Sequence, residues 1–130
     1  MGANDKQVGG EHYKKQYQHW DMVVDTKMPY LLGCATKYPS RWRDKNGVED
    51  LRKSLHYIEK AKEVRTDFQT NLGPLKYFCE QLNPEDAKIV RLIGVCCFAE
   101  ATKLIQDLID EAEAGPTPNY VDPDKNYIRG

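Results

Sequence analysis

Apolar positions along this chain recur at intervals of three and four residues, and no stretch alternates with period two over more than a few positions. An all-α domain of about four to five helices is the expectation. Trp20, Val23, Val24 and Met28 mark a short first helix that Pro29 closes or redirects. Leu31, Leu32, Ala35 and Tyr38 mark a second, which Pro39 should kink or end near Tyr38, because proline lacks the N–H and disfavours helix in the residue before it. Residues 44–47, Asp-Lys-Asn-Gly, form a turn by composition. Residues 48 to about 68 give the clearest amphipathic pattern, with Leu51, Leu55, Ile58, Ala61 or Lys62, and Arg65 on one row.

A break at residues 71–73 precedes a short helix from Pro74 through Leu82, with proline at its first position. Asn83, Pro84, Glu85 and Asp86 are a strong start signal, and the last helix should run from there to about Ala114, before Gly115 and Pro116. Its apolar residues lie on many sides: Ile89, Leu92, Ile93, Cys96, Cys97, Leu104 and Leu108, joined by Val90, Val95, Phe98, Ile105 and Ile109. The expectation is a central helix or a subunit interface, and homo-oligomerisation with it. The organisation read from this is a single domain over residues 1–130, with residues 74–114 as core or oligomer interface. A flexible, polar N-terminal arm covers about the first 14 residues, and an extended tail covers 115–130.

With 130 residues, 40% hydrophobic and 30% charged, the chain can bury one core without staples and is not disordered throughout. The polar start carries no apolar leader pattern, and charges about every turn interrupt the longest apolar stretch, so neither a leader nor a membrane span is expected. Cys34, Cys79, Cys96 and Cys97 form no C-x-x-C pair and read as buried free thiols of a reducing cytosol, with no metal site. A net charge of −1 weighs against nucleic acid as the partner.

The charge is segregated nonetheless. Between residues 37 and 65 nine basic residues stand against five acids, whereas from residue 100 onward three stand against seven. The basic middle carries Tyr38, Trp42 and Tyr57 among its cations, which suits charge-assisted bonds to phosphate and ring faces for a base. Lys37, Arg41, Arg43 and Lys45 surround the start of the following helix, a natural place for an anion. The plain alternative is a solvated helix face with ion pairs along it. His19 and His56 read as packing or surface residues. No P-loop, dinucleotide-binding glycine motif or zincin motif is present.

The segments VGGEHYKK and LLGCATKYPSRWRDKNGVEDLRKSLHYIEKA resemble the SaV-like (DUF3310) family of small bacteriophage proteins. The matching positions are Gly10, His12, Tyr13, Gly33, Lys37, Tyr38, Arg41, Asp50, Leu51, Lys53 and Tyr57, within residues 8–65. Pro39 departs from the pattern, and residues 70–130 match nothing in it. The family includes a nucleotide monophosphate kinase lacking a Walker loop, so the resemblance implies a phage nucleotide-binding protein acting in the cytoplasm of an infected host. If it is a kinase, Lys37, Arg41, Arg43 and Lys53 would clamp phosphates, His12 and Tyr13 would close over the nucleotide, and Asp50 would orient a base or hold Mg²⁺. Two alternatives stay open: an oligomeric sponge that sequesters a nucleotide immune signal of the host without metal, and a helical adaptor for a host protein.

Overall fold

The structure, a computed structural model, describes residues 17–115. His12, Tyr13 and the expected arm and tail lie outside the described residues. Six helices follow in order: α1 (His19–Thr26), α2 (Tyr30–Lys37), α3 (Val48–Glu63), α4 (Leu72–Cys79), α5 (Pro84–Gly94) and α6 (Phe98–Glu113). Among the described residues there is no strand. Helix α3 packs on α2 and α6, α5 packs on α2, α4 and α6, and α1 packs on α4. Met22, Leu32, Leu51, Ile58, Leu75, Phe78, Ile89, Ile93, Ile105 and Ile109 are the large side chains enclosed between them. Each contributes about 1.5–3 kcal/mol by leaving water.

The sixth helix arises because the expected final helix breaks in two. Helix α5 ends at Gly94, and Cys96 takes a left-handed conformation with φ of 63°. The Cys96 N–H then donates to Ile93 O at 3.0 Å and the Cys97 N–H to Leu92 O at 2.8 Å. These bonds satisfy carbonyls that a continuing helix would have used. The chain reverses and α6 lies back on α5, so apolar residues on many sides are largely covered within one chain. Gly94 has a packing reason as well: a Cβ there would sit 2.8 Å from Leu75 Cδ2. The adjacent cysteines therefore lie in the break, with Cys97 exposed, Cys34 and Cys96 half-buried, and only Cys79 buried as expected. Burial pushes the Cys79 thiol up to about 11.

Three further expectations are corrected. Of the apolar positions that mark the first helix, Met28 is buried and Val23 packs against the core. Trp20 and Val24 are more than half exposed, and the buried residues of α1 are Met22 and Thr26. Thr26 tolerates burial because its hydroxyl donates to Met22 O at 2.8 Å. Helix α3 stops at Glu63, about five residues early, where Arg65 adopts φ of 57° and the Thr66 N–H donates to Ala61 O at 2.9 Å. Helix α4 starts at Leu72 under an Asn71 cap whose side chain accepts from the Gly73 N–H. Pro74 is thus its third residue, still among the first four whose N–H groups have no helical partner.

Candidate functional site

Helix α2 ends at Lys37, one residue short of Tyr38, and Pro39 is buried directly after it. The chain then turns tightly. Successive three-residue bonds run from the Ser40 N–H to Lys37 O, the Arg41 N–H to Tyr38 O and the Asp44 N–H to Arg41 O. This elbow keeps a near-helical spacing past the proline, so Lys37, Tyr38 and Arg41 stay together. Helix α3 returns alongside α2, fixed by the Ser54 hydroxyl donating to Ala35 O at 2.7 Å. That pairing brings Lys53 and Tyr57 against Tyr38.

The result is a cationic tyrosine platform. Lys37 Nζ lies 5.8 Å from the Tyr38 ring centroid, Lys53 Nζ 5.4 Å and the Arg41 guanidinium carbon 5.0 Å. The Tyr57 ring stacks on Tyr38 with centroids 6.0 Å apart and planes 11° apart, and Tyr30 meets Tyr57 edge-on at 6.4 Å. Each cation gains about 0.5–1 kcal/mol from an exposed ring. Repulsion between neighbouring cations in a water-like dielectric is of the same order. The gathering therefore stands without a ligand and still carries surplus positive charge. Tyr38, Tyr57 and Lys53 are half-buried and Lys37 is exposed, so the platform is open to solvent.

Sequence reasoning did not single out Tyr30. Its signal was available: Tyr30, Cys34 and Tyr38 recur every four residues, which puts them on one face of α2. Hydrogen bonding to Cys34, and then to Tyr57, pushes the Tyr30 phenol up to about 12.

The remaining expected site residues are engaged elsewhere. Arg43 Nε donates to Asp86 Oδ2 at 2.8 Å, and its Nη2 donates to Asp86 Oδ1 at 3.2 Å and Glu85 Oε1 at 3.1 Å. The Asp86 hydrogen bond holds the Arg43 guanidinium above its already high range. Trp42 lies under the same guanidinium at 4.5 Å, and its Nε1–H donates to Asp86 Oδ1 at 3.0 Å. This group ties the elbow to the start of α5. Asp50 is fully buried at the start of α3, where it accepts from the Asn46 N–H at 3.2 Å and the Asn46 side chain at 3.4 Å. The protein's own carboxylate thus occupies the helix start expected to receive an anion. Arg41 Nε stands 3.4 Å from Asp50 Oδ2 but is enclosed without a well-directed hydrogen bond. Lys45 is exposed on the turn.

His19 lies behind α2. His19 Nε2 and the Thr36 hydroxyl share a hydrogen bond at 2.8 Å, and that hydroxyl also lies 2.9 Å from Leu32 O. Burial, with Lys37 adding its positive charge, pulls the imidazole down to about 4. His19 also meets the Phe78 ring edge-on at 5.7 Å, so it packs as expected. His56 is exposed beside Tyr57 and lines a cleft of about 440 Å³ between α3 and α6. No helix among the described residues is long and apolar enough to cross a membrane.

No curated protein matches the chain, and no solved structure does. Residues 9–59 match the model of a family described as a protein of unknown function (DUF3310), a span of less than half the chain that contains all five residues of the platform around Tyr38.

Proposed function

We propose that the chain binds a phosphorylated nucleotide on the platform formed by Lys37, Tyr38, Arg41, Lys53 and Tyr57. The observation that carries this reading is the convergence of three cations, from the end of α2, the elbow and α3, on one tyrosine ring. Ammonium and guanidinium groups suit phosphate oxygens, and an aromatic face suits a base of any kind. Tyr57 and Tyr30 extend the aromatic surface beside it. Arg43, Asp50 and Trp42 serve the reading indirectly by fixing the elbow and the start of α3.

Holding a nucleotide is favoured over transferring its phosphoryl group. The carboxylate expected to orient a base or hold Mg²⁺ belongs to Asp50, which is enclosed and already bonded to Asn46. Transfer chemistry depends on positioned charge about the moving group, and a base presented to solvent would be part of that arrangement. The sequestering role therefore fits the platform better than the kinase role.

Equilibrium dialysis of the purified protein against ATP should show saturable binding. Mg²⁺-ATP incubated with each deoxynucleoside monophosphate should be recovered unchanged. Formation of a deoxynucleoside diphosphate would restore the kinase reading, and no binding of any nucleotide would remove both.

A further inference from the structure

Groups that read a base do so through directed hydrogen bonds to its edge, whereas stacking accepts every base. Among the described residues from the end of α2 to the start of α3, four side chains equipped for such reading are already engaged within the chain. Ser40 donates to Lys37 O at 2.6 Å, and the Asn46 amide bonds Asp50 at 3.4 Å. Thr36 is closed with Leu32 and His19, and the Trp42 N–H is given to Asp86. What the platform presents outward is positive charge and ring faces. Among the described residues one carboxylate, Asp50, is paired with these cations, and it stands 3.4 Å from Arg41 Nε.

We infer that this platform selects its ligand by the number of phosphates and the presence of an attached ring, and is nearly indifferent to which base that ring is. The inference rests on the nucleotide reading above and names its ligand class: nucleoside polyphosphates without regard to base. Each added phosphate meets positive charge contributed from three separate points of the chain, the Arg41 share of it partly answered by Asp50. A single phosphate, at about −1.5 to −2 at neutral pH, reaches fewer of these three points than a longer polyphosphate does.

The test is one set of titrations without divalent cations, using ATP, ADP, AMP, GTP, CTP and inorganic tripolyphosphate. Removing a phosphate should weaken binding by about fivefold or more at low salt, more steeply for ATP than AMP as salt falls. ATP, GTP and CTP should agree within about threefold. Tripolyphosphate should bind more weakly than ATP, and Tyr38→Leu should erase that difference while Tyr38→Phe keeps it.

AMP binding as tightly as ATP, or a base exchange outweighing the loss of a phosphate, overturns the inference and leaves nucleotide binding standing. Tripolyphosphate equalling ATP on the wild-type protein overturns the part assigned to the ring. If none of the six probes binds, the nucleotide reading itself falls.

Discussion

Lys53 and Arg43 both lie in the basic middle of the sequence, yet the fold gives them opposite duties. Lys53 stands over the Tyr38 ring on the open platform, whereas Arg43 neutralises the nearly buried Asp86. Removing Arg43 takes three hydrogen bonds from α5 carboxylates, two of them from Asp86, and leaves the Trp42 N–H donating to Asp86, which costs about 1–3 kcal/mol. Arg43→Ala should therefore lower the urea midpoint, and a midpoint equal to wild type would refute its structural assignment. His19 makes a second prediction at this scale. Its folded pKa of about 4 lies below the unfolded value of 6.5, so the unfolded chain binds the extra proton between them. Its contribution is complete above pH 6.5 and is lost as pH falls toward 4. Lowering the pH from about 7 to about 5 should cost on the order of 1–2 kcal/mol, discounted for partial exposure. Urea titrations of His19→Gln should lose that component; parallel pH dependence in the two proteins would contradict it.

At the scale of the helices, the two glycines that matter have different reasons. Gly47 caps α3 with φ of 59° and ψ of −135°, a conformation side chains resist, although nothing lies within 4 Å of a Cβ there. Gly94 has ordinary helical backbone but presses on Leu75. Gly47→Ala should destabilise by about 1–3 kcal/mol through backbone strain. Gly94→Ala should cost a similar amount, about 1–3 kcal/mol, by overpacking. Thermal unfolding of the two variants checks both, and a neutral result at either position removes its stated reason. The end of α2, the turn before α3 and the Asn83 start of α5 were legible because proline, glycine and a capping asparagine act locally. The break between α5 and α6 was not, because Val95, Cys96 and Cys97 carry no comparable stop signal and tertiary packing sets the reversal. Met28 and Val23 pack inward as their spacing suggests, but Trp20 and Val24 do not, because a threonine satisfied by its own helix can replace a valine in the core.

Across the whole molecule, the segregated charge of the sequence becomes two surfaces. The basic elbow and α3 carry the tyrosine platform, while acids of α6 accompany Leu104 and Leu108 around a depression of about 190 Å³ lined also by Glu85 and Ile89. Folding α6 onto α5 covers much of the apolar surface that suggested assembly, so self-association through this region now rests on the half-buried Leu104 and its neighbours. Leu104→Glu should lower the sedimenting mass if that face joins subunits, and an unchanged mass would take the interface away from it. The candidate site was legible in part. Lys37, Tyr38, Arg41 and Tyr57 could be chosen from residue types and spacing, and Lys53 through the family resemblance. That Arg43 and Asp50 would be spent on Asp86 and Asn46 depended on a distant helix and on the path of the turn before α3. The most direct measurement is an ATP titration of wild-type, Lys53→Ala and Arg43→Ala proteins, with unfolding followed in parallel. The platform predicts that Lys53→Ala weakens binding by about tenfold at an unchanged unfolding midpoint, while Arg43→Ala lowers the midpoint and weakens binding less than Lys53→Ala does. Equal affinities for wild type and Lys53→Ala would contradict it.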